Sequence, residues 1–175
     1  MPRRAAVGER HPIAEIDPVH TTPQLGVPGP WYERLPHFRM GFTPSAGEEI
    51  QSEYHVPRAA AVDAVVALRA LREQVAPVLL ISELRAVAAD ALWLSPQFER
   101  DTLGIHFTWK RDPAAVAAIG PVVEAALAPF DARPHWGKVF AAAPAYPRGG
   151  DFAELAARLD PRGAFRNAFV ARVVR

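Results

Sequence analysis

Two short strings of alternating polar and apolar residues carry the side chains best suited to acid–base and electrostatic chemistry. The string ISELR places Glu83 and Arg85 two residues apart, and HFTW does the same for His106 and Thr108. A carboxylate, a guanidinium, an imidazole and a hydroxyl can together hold a polyhydroxylated or charged small molecule. Since alternate residues of a strand point to the same face of a sheet, this spacing predicts one face that gathers all four groups.

The same face is expected to receive side chains from two other strands. The string EIQSEYHV alternates in the same way and adds Gln51, Glu53 and His55. Lys138 follows the start of a fourth predicted strand, ARPHWGKVF, from which it would reach the rim of this face. The chain has 18 arginines but only two lysines. Because a buried lysine can give up its proton and an arginine cannot, this imbalance favours a chemical role for each lysine.

A solvated surface is the alternative interpretation of this face. An uncovered sheet face is normally polar, and an exposed Glu–Arg pair across two strands contributes little to stability. Trp136 and the aromatic residues near the amino terminus favour a covered face instead. Polar groups under a cover would indicate a small-molecule site.

The elements that must position these side chains follow the order β-α-β-β-α-β over about residues 49–140. A first helix is predicted after Pro57 and a second from Asp112 and Pro113 to about Phe130, with a kink at Pro121. Five apolar residues of the first helix have the spacing of a buried face: Val62, Val65, Val66, Leu68 and Leu71. The order predicts an α+β, ferredoxin-like split βαβ fold, whose antiparallel four-stranded sheet has both helices on one face.

The two ends of the chain carry different signals. Eight of the 18 prolines lie before residue 45, a density that forbids long helices and central strands. Trp31, Tyr32 and Phe38 make this Pro-rich stretch too apolar for a solvated linker, so it is predicted to be an extended arm that packs against something. At the other end, a short helix is predicted from near Asp151 to the string DPRG.

Composition excludes several classes of function. The 175 residues carry a net charge of +1, which provides no basic field for nucleic acid or anionic lipid. The absence of cysteine excludes disulfides and thiolate chemistry, and the histidines lack metal-ligand spacing, so no metal site is predicted. The sequence has neither the apolar core of a secretory signal nor an apolar stretch long enough for a transmembrane segment. It therefore predicts a soluble, cytoplasmic protein.

Five separated strings occur in this order along the chain: LPHFRMGFTPSAGEEIQSEYHVPR, ISELR, ALWLSPQFERDTLGIHFTW, ARPHWGK and DPRGAFRNAF. Together they resemble the alditol oxidases, also called xylitol oxidases, within the sugar-1,4-lactone oxidase group of vanillyl-alcohol-oxidase-type flavoproteins. The resemblance runs over about residues 11–170 and covers only the carboxy-terminal half of that family. It implies an FAD cofactor, whose binding domain is not in this sequence.

The resemblance also implies a role for each part of the chain. Residues 1–47 would be the Pro-rich join to the missing FAD domain, residues 48–145 the substrate-binding cap domain, and residues 146–175 a tail that returns to the FAD domain. The implied partners are a polyol substrate and a flavin-binding domain or subunit. Which residues would contact the cofactor is not identified.

Carried over residue by residue, the resemblance assigns roles to the polar face. It implies that Glu83, Arg85, Thr108 and Lys138 bind the substrate. It implies further that Arg85 and Lys138 supply the electrostatic part of catalysis, while His106 accepts a proton or positions the reacting hydroxyl. These are the residues that strand alternation gathers on one face, together with one of the two lysines.

The reaction implied by the family is oxidation of the terminal CH–OH of an alditol such as xylitol or sorbitol, with oxygen as acceptor and hydrogen peroxide as product. Because the cofactor carries the hydride chemistry, this chain alone is expected to be inactive. Two alternatives remain open. One is a fragment of a sugar-1,4-lactone oxidase of the D-arabinono-1,4-lactone type. The other is a non-enzymatic ferredoxin-like module that binds a small ligand.

Overall fold

The computed structural model of the chain describes residues 7–13, 16–42 and 49–174. The chain divides into two compact units, Met1–Glu48 and Glu49–Arg175. The domain boundary predicted between residues 47 and 48 lies outside the described residues. The four-stranded sheet belongs to the second unit.

The described residues of the first unit form short elements. They include two three-residue 3₁₀ helices, Pro18–His20 and Trp31–Glu33, and an isolated bridge between Thr21 and Phe38. This local structure agrees with the high proline content, which disfavours longer helices and strands. That this stretch packs against another part of the protein stays a prediction.

The sheet of the second unit has the predicted topology. Its strands are β1 (Glu49–Pro57), β2 (Leu79–Val87), β3 (Thr102–Lys110) and β4 (Arg133–Pro134). They lie in the order β2-β3-β1-β4, and every neighbouring pair is antiparallel. The ferredoxin-like split βαβ arrangement is therefore confirmed.

The fourth strand is much shorter than predicted. Only Arg133 and Pro134 pair with β1 as a regular strand. A turn then follows, closed by a hydrogen bond from Lys138 N to His135 O at 3.0 Å. The chain returns to β1 afterwards, where Val139 N donates to Gln51 O at 3.0 Å. The turn interrupts a nine-residue string that alternation alone interprets as one strand.

Within residues 49–174, the described part of the second unit, there are five α-helices: α1 (Ala61–Ala70), α2 (Arg72–Val75), α3 (Pro113–Leu127), α4 (Gly149–Leu159) and α5 (Ala168–Val173). The predicted first helix is thus two helices, α1 and α2. Its predicted buried face is partly wrong, because Val62 is 74% and Val66 61% exposed. Ala64 is buried in the core and Leu68 packs against it. Eight of the ten residues of α1 are apolar, so their spacing fits more than one helix face.

The core lies between the sheet and helices α1 and α3. The sheet contributes alternate residues of β1 and β3, and α3 contributes residues three or four apart. The buried residues from these elements are Tyr54, Val56, Ile105, Phe107, Trp109, Val116, Ile119, Val123 and Leu127. The predicted apolar face of β3 is therefore confirmed.

Helix α3 begins where the sequence predicts. The side chain of Asp112 accepts a hydrogen bond from Ala115 N at 3.0 Å, which caps the helix, and Pro113 occupies the first turn. By length and composition alone, Pro113–Phe130 could cross a membrane, with a mean hydropathy of 1.5. The sequence predicted no such segment. In this chain one stripe of the helix, from Val116 to Leu127, is buried against the sheet, as in the core helix of an α+β domain.

The carboxy-terminal segment contains one helix more than predicted. Helix α4 matches the predicted short helix that ends at DPRG. Helix α5 was not predicted, because six residues are too few for a helical period to be recognised. Its start does carry a local signal, since the side chain of Asn167 accepts a hydrogen bond from Val170 N at 2.8 Å.

Candidate active site

The sheet face opposite the helices gathers polar side chains from the three long strands. His106 on β3 lies opposite Glu53 on β1 and opposite Glu83 on β2. Thr108 follows His106 by two residues and lies on the same face, and Arg85 follows Glu83 in the same way. The four groups singled out by strand alternation are therefore on one face.

Lys138 closes this face from the β4 side. The turn after Pro134 brings its Nζ to 2.6 Å from Glu53 Oε2 and to 2.9 Å from His106 Nδ1. An ammonium group can only donate, so His106 Nδ1 must accept this hydrogen bond. The other ring nitrogen, Nε2, then carries the proton and donates to Thr108 Oγ1 at 3.1 Å. Lys138 thus sets the tautomer of His106.

Arg85 and Glu83 form the open side of the same group. Arg85 Nη2 donates to Glu83 Oε2 at 2.6 Å, and Arg85 Nη1 lies 3.4 Å from Glu53 Oε1. The side chains of Arg85 and Glu83 are 43% and 46% exposed, whereas that of Glu53 is only 6% exposed. Arg85 and Glu83 are therefore the solvent-facing members of the group, whereas Lys138, at 19% exposure, and Glu53 are buried more deeply.

Six residues make up this group, which we call the Lys138–Glu53 cluster: Glu53, Glu83, Arg85, His106, Thr108 and Lys138. Burial by itself raises the pKa of Glu53. The short hydrogen bond from Lys138 and its positive charge outweigh burial and hold that pKa well below its ordinary range. Glu53 is therefore an ionised carboxylate at the centre of the cluster.

Sequence reasoning placed Glu53 on the polar face but gave it no role. In the structure it bridges the two cations of the cluster, because one carboxylate oxygen faces Lys138 and the other faces Arg85. The signal that could have found it is the strand register, which sets Glu53 directly opposite His106. That register follows from pairing two strands of equal length, and alternation within one strand does not reveal it.

A second buried layer lies beside the cluster. His55 is 5% exposed, and Gln97, in the connection between β2 and β3, places its amide nitrogen 2.7 Å from His55 Nδ1. Burial lowers the pKa of His55 to about 4, although the charge of Glu53 acts in the opposite direction. His55 is therefore a neutral imidazole at neutral pH. Sequence reasoning placed His55 on the polar face without giving it a role, and it did not single out Gln97.

The buried neutral His55 predicts a loss of stability in mild acid. An unfolded histidine takes up a proton near pH 6.5, whereas folded His55 does so only near pH 4. The unfolded state therefore binds more protons within this window, and the free energy of unfolding falls as the pH falls through it. We expect His55 to account for a loss of about 2 kcal/mol between about pH 7 and about pH 5.

The measurement is urea-induced unfolding of the wild type and of His55→Gln at the two pH values. His55→Gln should remove most of this pH dependence, while His37→Gln, at an exposed position of the first unit, should keep it. An unchanged pH dependence in His55→Gln would contradict the prediction.

The described residues offer a site for a polar substrate, whereas their cavity between α4 and α5 does not suit the pyrophosphate of FAD. Among them no group of three or more His, Asp or Glu side chains could hold a metal ion. A cavity of about 420 Å³ between α4 and α5 is lined mainly by apolar side chains such as Phe152, Phe165 and Phe169. A pyrophosphate needs several converging backbone N–H groups or cations, whereas this lining has a single cationic side chain, Arg166, beside the carboxylate Asp160.

Two comparisons with known proteins relate this chain to oxidases. The model of the D-arabinono-1,4-lactone oxidase family matches residues 45–173. Alditol oxidase from Streptomyces sp. is 51% identical over 172 residues, which make up 95% of this chain and 41% of the relative. The chain thus spans about two-fifths of the length of the curated relative that it matches.

Proposed function

Because this chain belongs to the D-arabinono-1,4-lactone oxidase family, a family of flavin-dependent sugar and polyol oxidases, we propose that it is the substrate-binding part of an alditol oxidase. The substrate would be a polyol such as xylitol or sorbitol, oxidised at its terminal CH–OH. The observation that carries the proposal is the Lys138–Glu53 cluster, in which Lys138 of a buried ion pair contacts the imidazole of His106. Such a group can take a hydroxyl proton and stabilise the oxygen left behind.

In this proposal the cluster holds the reacting hydroxyl at its inner end. His106 accepts the hydroxyl proton at Nδ1 as Lys138 turns from that nitrogen towards the substrate oxygen. Lys138 and Arg85 then stabilise the developing alkoxide, within a site whose inner side chains are withdrawn from water. The carbon loses its hydrogen as hydride, so the alcohol becomes an aldehyde.

The remaining hydroxyls of the polyol would bind nearer the opening. Glu83 can accept hydrogen bonds from two hydroxyl groups, and Thr108 can both donate and accept. The charges of the cluster balance, since two carboxylates face one guanidinium and one ammonium. Balanced charge and many hydrogen-bonding groups suit a neutral polyhydroxylated substrate better than an anion.

The flavin supplies the hydride acceptor, and oxygen then takes up the two electrons and two protons to give hydrogen peroxide. We assign FAD to a part of the protein outside this chain, because the chain matches only 41% of the alditol oxidase. Residues 1–47 would form the join to that part, and residues 146–175 a tail that returns to it. On this view the chain by itself binds substrate and does not oxidise it, and the whole enzyme works in the cytoplasm.

A sugar-1,4-lactone oxidase is the second candidate, because the matching family is named for D-arabinono-1,4-lactone. An aldonolactone is also neutral and polyhydroxylated, so the charge balance of the cluster does not separate the two substrates. The 51% identity to an alditol oxidase favours the polyol.

The test joins this chain to the part of the Streptomyces alditol oxidase that it does not span. We expect the joined protein to release peroxide with xylitol or sorbitol, and Glu83→Gln to raise KM about tenfold, because one charge-assisted hydrogen bond to the substrate is lost. Peroxide with an aldonolactone alone would favour the second candidate. If the joined protein binds flavin but oxidises neither substrate, the result would favour the interpretation of this chain as a non-enzymatic binding module.

A further inference from the structure

The layer beside the Lys138–Glu53 cluster contains a buried polar atom without a partner. His55 Nε2 has no hydrogen bond to any described residue. It lies 3.8 Å from Glu53 Oε1, and both side chains are 6% exposed. A buried polar atom left unpaired costs free energy, so its presence calls for a physical reason.

The protonation of His55 follows from its two neighbours. The amide of Gln97, 2.7 Å from Nδ1, can present either its nitrogen or its oxygen to the ring. The carboxylate of Glu53 decides between the two, because an unprotonated Nε2 would turn its lone pair towards an anion. The favoured arrangement has the proton on Nε2, facing Glu53, while Nδ1 accepts from the Gln97 amide nitrogen.

The backbone leaves room for this arrangement at one position. Gly104 on β3 lies opposite His55 on β1 and opposite Arg85 on β2. A Cβ at Gly104 would meet Glu53 Oε1 at 3.0 Å and the His55 ring at 3.2 Å. A larger residue would therefore displace the carboxylate or the ring, so glycine in this central strand has a local steric reason.

We propose that His55 and Gln97 are positioning residues for Glu53. Gln97 fixes the tautomer of His55, whose Nε2–H then faces one oxygen of the Glu53 carboxylate at 3.8 Å and attracts it electrostatically. The other oxygen is then directed towards Lys138 and His106. The catalytic meaning of this arrangement rests on the proposed function, whereas the arrangement itself is a property of this chain. It extends the site by one layer, from the sheet face to the connection between β2 and β3.

If Gln97 only filled space, the protonation of the His55 ring would not depend on it. Gln97 is 8% exposed and also lies 3.4 Å from Thr102 Oγ1, so its amide fills space as well as bonding. The test must therefore change the hydrogen bonding of residue 97 without changing its size. Gln97→Glu does so, because a carboxylate accepts hydrogen bonds and cannot donate one to Nδ1.

The experiment is nitrogen and carbon NMR of the full chain at neutral pH, in the wild type and in Gln97→Glu. The wild type should show His55 protonated on Nε2 only. Gln97→Glu should place a proton on Nδ1 and shift the carboxyl resonance of Glu53. Gln74→Glu, the same change at an exposed position on α2, should move neither signal.

The proposal is overturned if the wild type carries its proton on Nδ1, or if Gln97→Glu leaves the Glu53 resonance unchanged. The first criterion needs no variant and holds even if Gln97→Glu fails to fold. Gln97→Met is a second variant, which loses the hydrogen bonds at similar length and should also shift the Glu53 resonance. None of these signals depends on flavin or turnover, so a failure of the proposed oxidase activity would be seen separately.

Discussion

Lys138→Met is expected to lower kcat/KM for a polyol by about 10²- to 10³-fold in the joined oxidase, because one preorganised donor to the developing alkoxide is lost. Nζ of Lys138 is the nearest cation to both Glu53 and His106. Its removal also leaves Glu53 a buried carboxylate with only the longer contact to Arg85. The measurement is polyol-dependent peroxide release over a range of substrate concentrations, with kcat and KM determined separately.

The chain supplies its own control for this change. Lys110, its other lysine, is exposed at the end of β3 and donates to Pro77 O at 2.7 Å. Lys110→Met therefore removes the same charge and the same atoms away from the cluster, and it should leave kcat/KM unchanged. Retention of more than about half the wild-type activity by Lys138→Met would remove Lys138 from the mechanism.

Much of the fold was predictable because strand alternation and the signals at a helix start are strong in this sequence. Alternation in HFTW separated His106 and Thr108 from Phe107 and Trp109, and the structure has the first pair on the polar face and the second in the core. The cap at Asp112 was predictable for a local reason, since it needs only residues within one helical turn.

Other elements were not predictable from these signals. An almost uniformly apolar segment has no unique buried face, which is why Val62 was wrongly expected inside. Helix α5 is shorter than two helical turns and shows no period. The turn that shortens β4 depends on Lys138 N bonding to His135 O, a contact that strand alternation does not reveal.

The residue types and spacing predicted most of the residues that form the site, but not how they contact one another. Residue types and spacing pointed to Glu83, Arg85, His106 and Thr108, each of which shares the face found in the structure. The central position of Glu53 depends on the register between β1 and β3, two strands of equal length whose starts, Glu49 and Thr102, are 53 residues apart in the sequence. Long-range register of this kind is set by the packed sheet.

Glu53→Gln is expected to lower the free energy of unfolding by about 3 kcal/mol at neutral pH. The reason is that breaking a buried ion pair leaves the remaining charge uncompensated. Glu53 contacts Lys138 at 2.6 Å with only 6% of its side chain exposed. Glutamine keeps the shape but not the charge, so Lys138 and Arg85 would lose the anion between them. The measurement is urea-induced unfolding, with Glu73→Gln on the exposed side of α2 expected to cost about 0.5 kcal/mol or less.

The pH dependence of this difference separates the ion pair from packing. The pKa of folded Glu53 lies below its ordinary value of 4.5, so its stabilisation is present above about pH 4.5 and is lost as the pH falls further. The difference in the free energy of unfolding between the wild type and Glu53→Gln should therefore be largest at neutral pH and should decrease in acid. This pH range lies below most of the range in which His55 affects stability, about pH 4 to 6.5. A gap that stays constant down to low pH would mean that Glu53 stabilises the fold by shape and hydrogen bonding, and that its charge adds nothing.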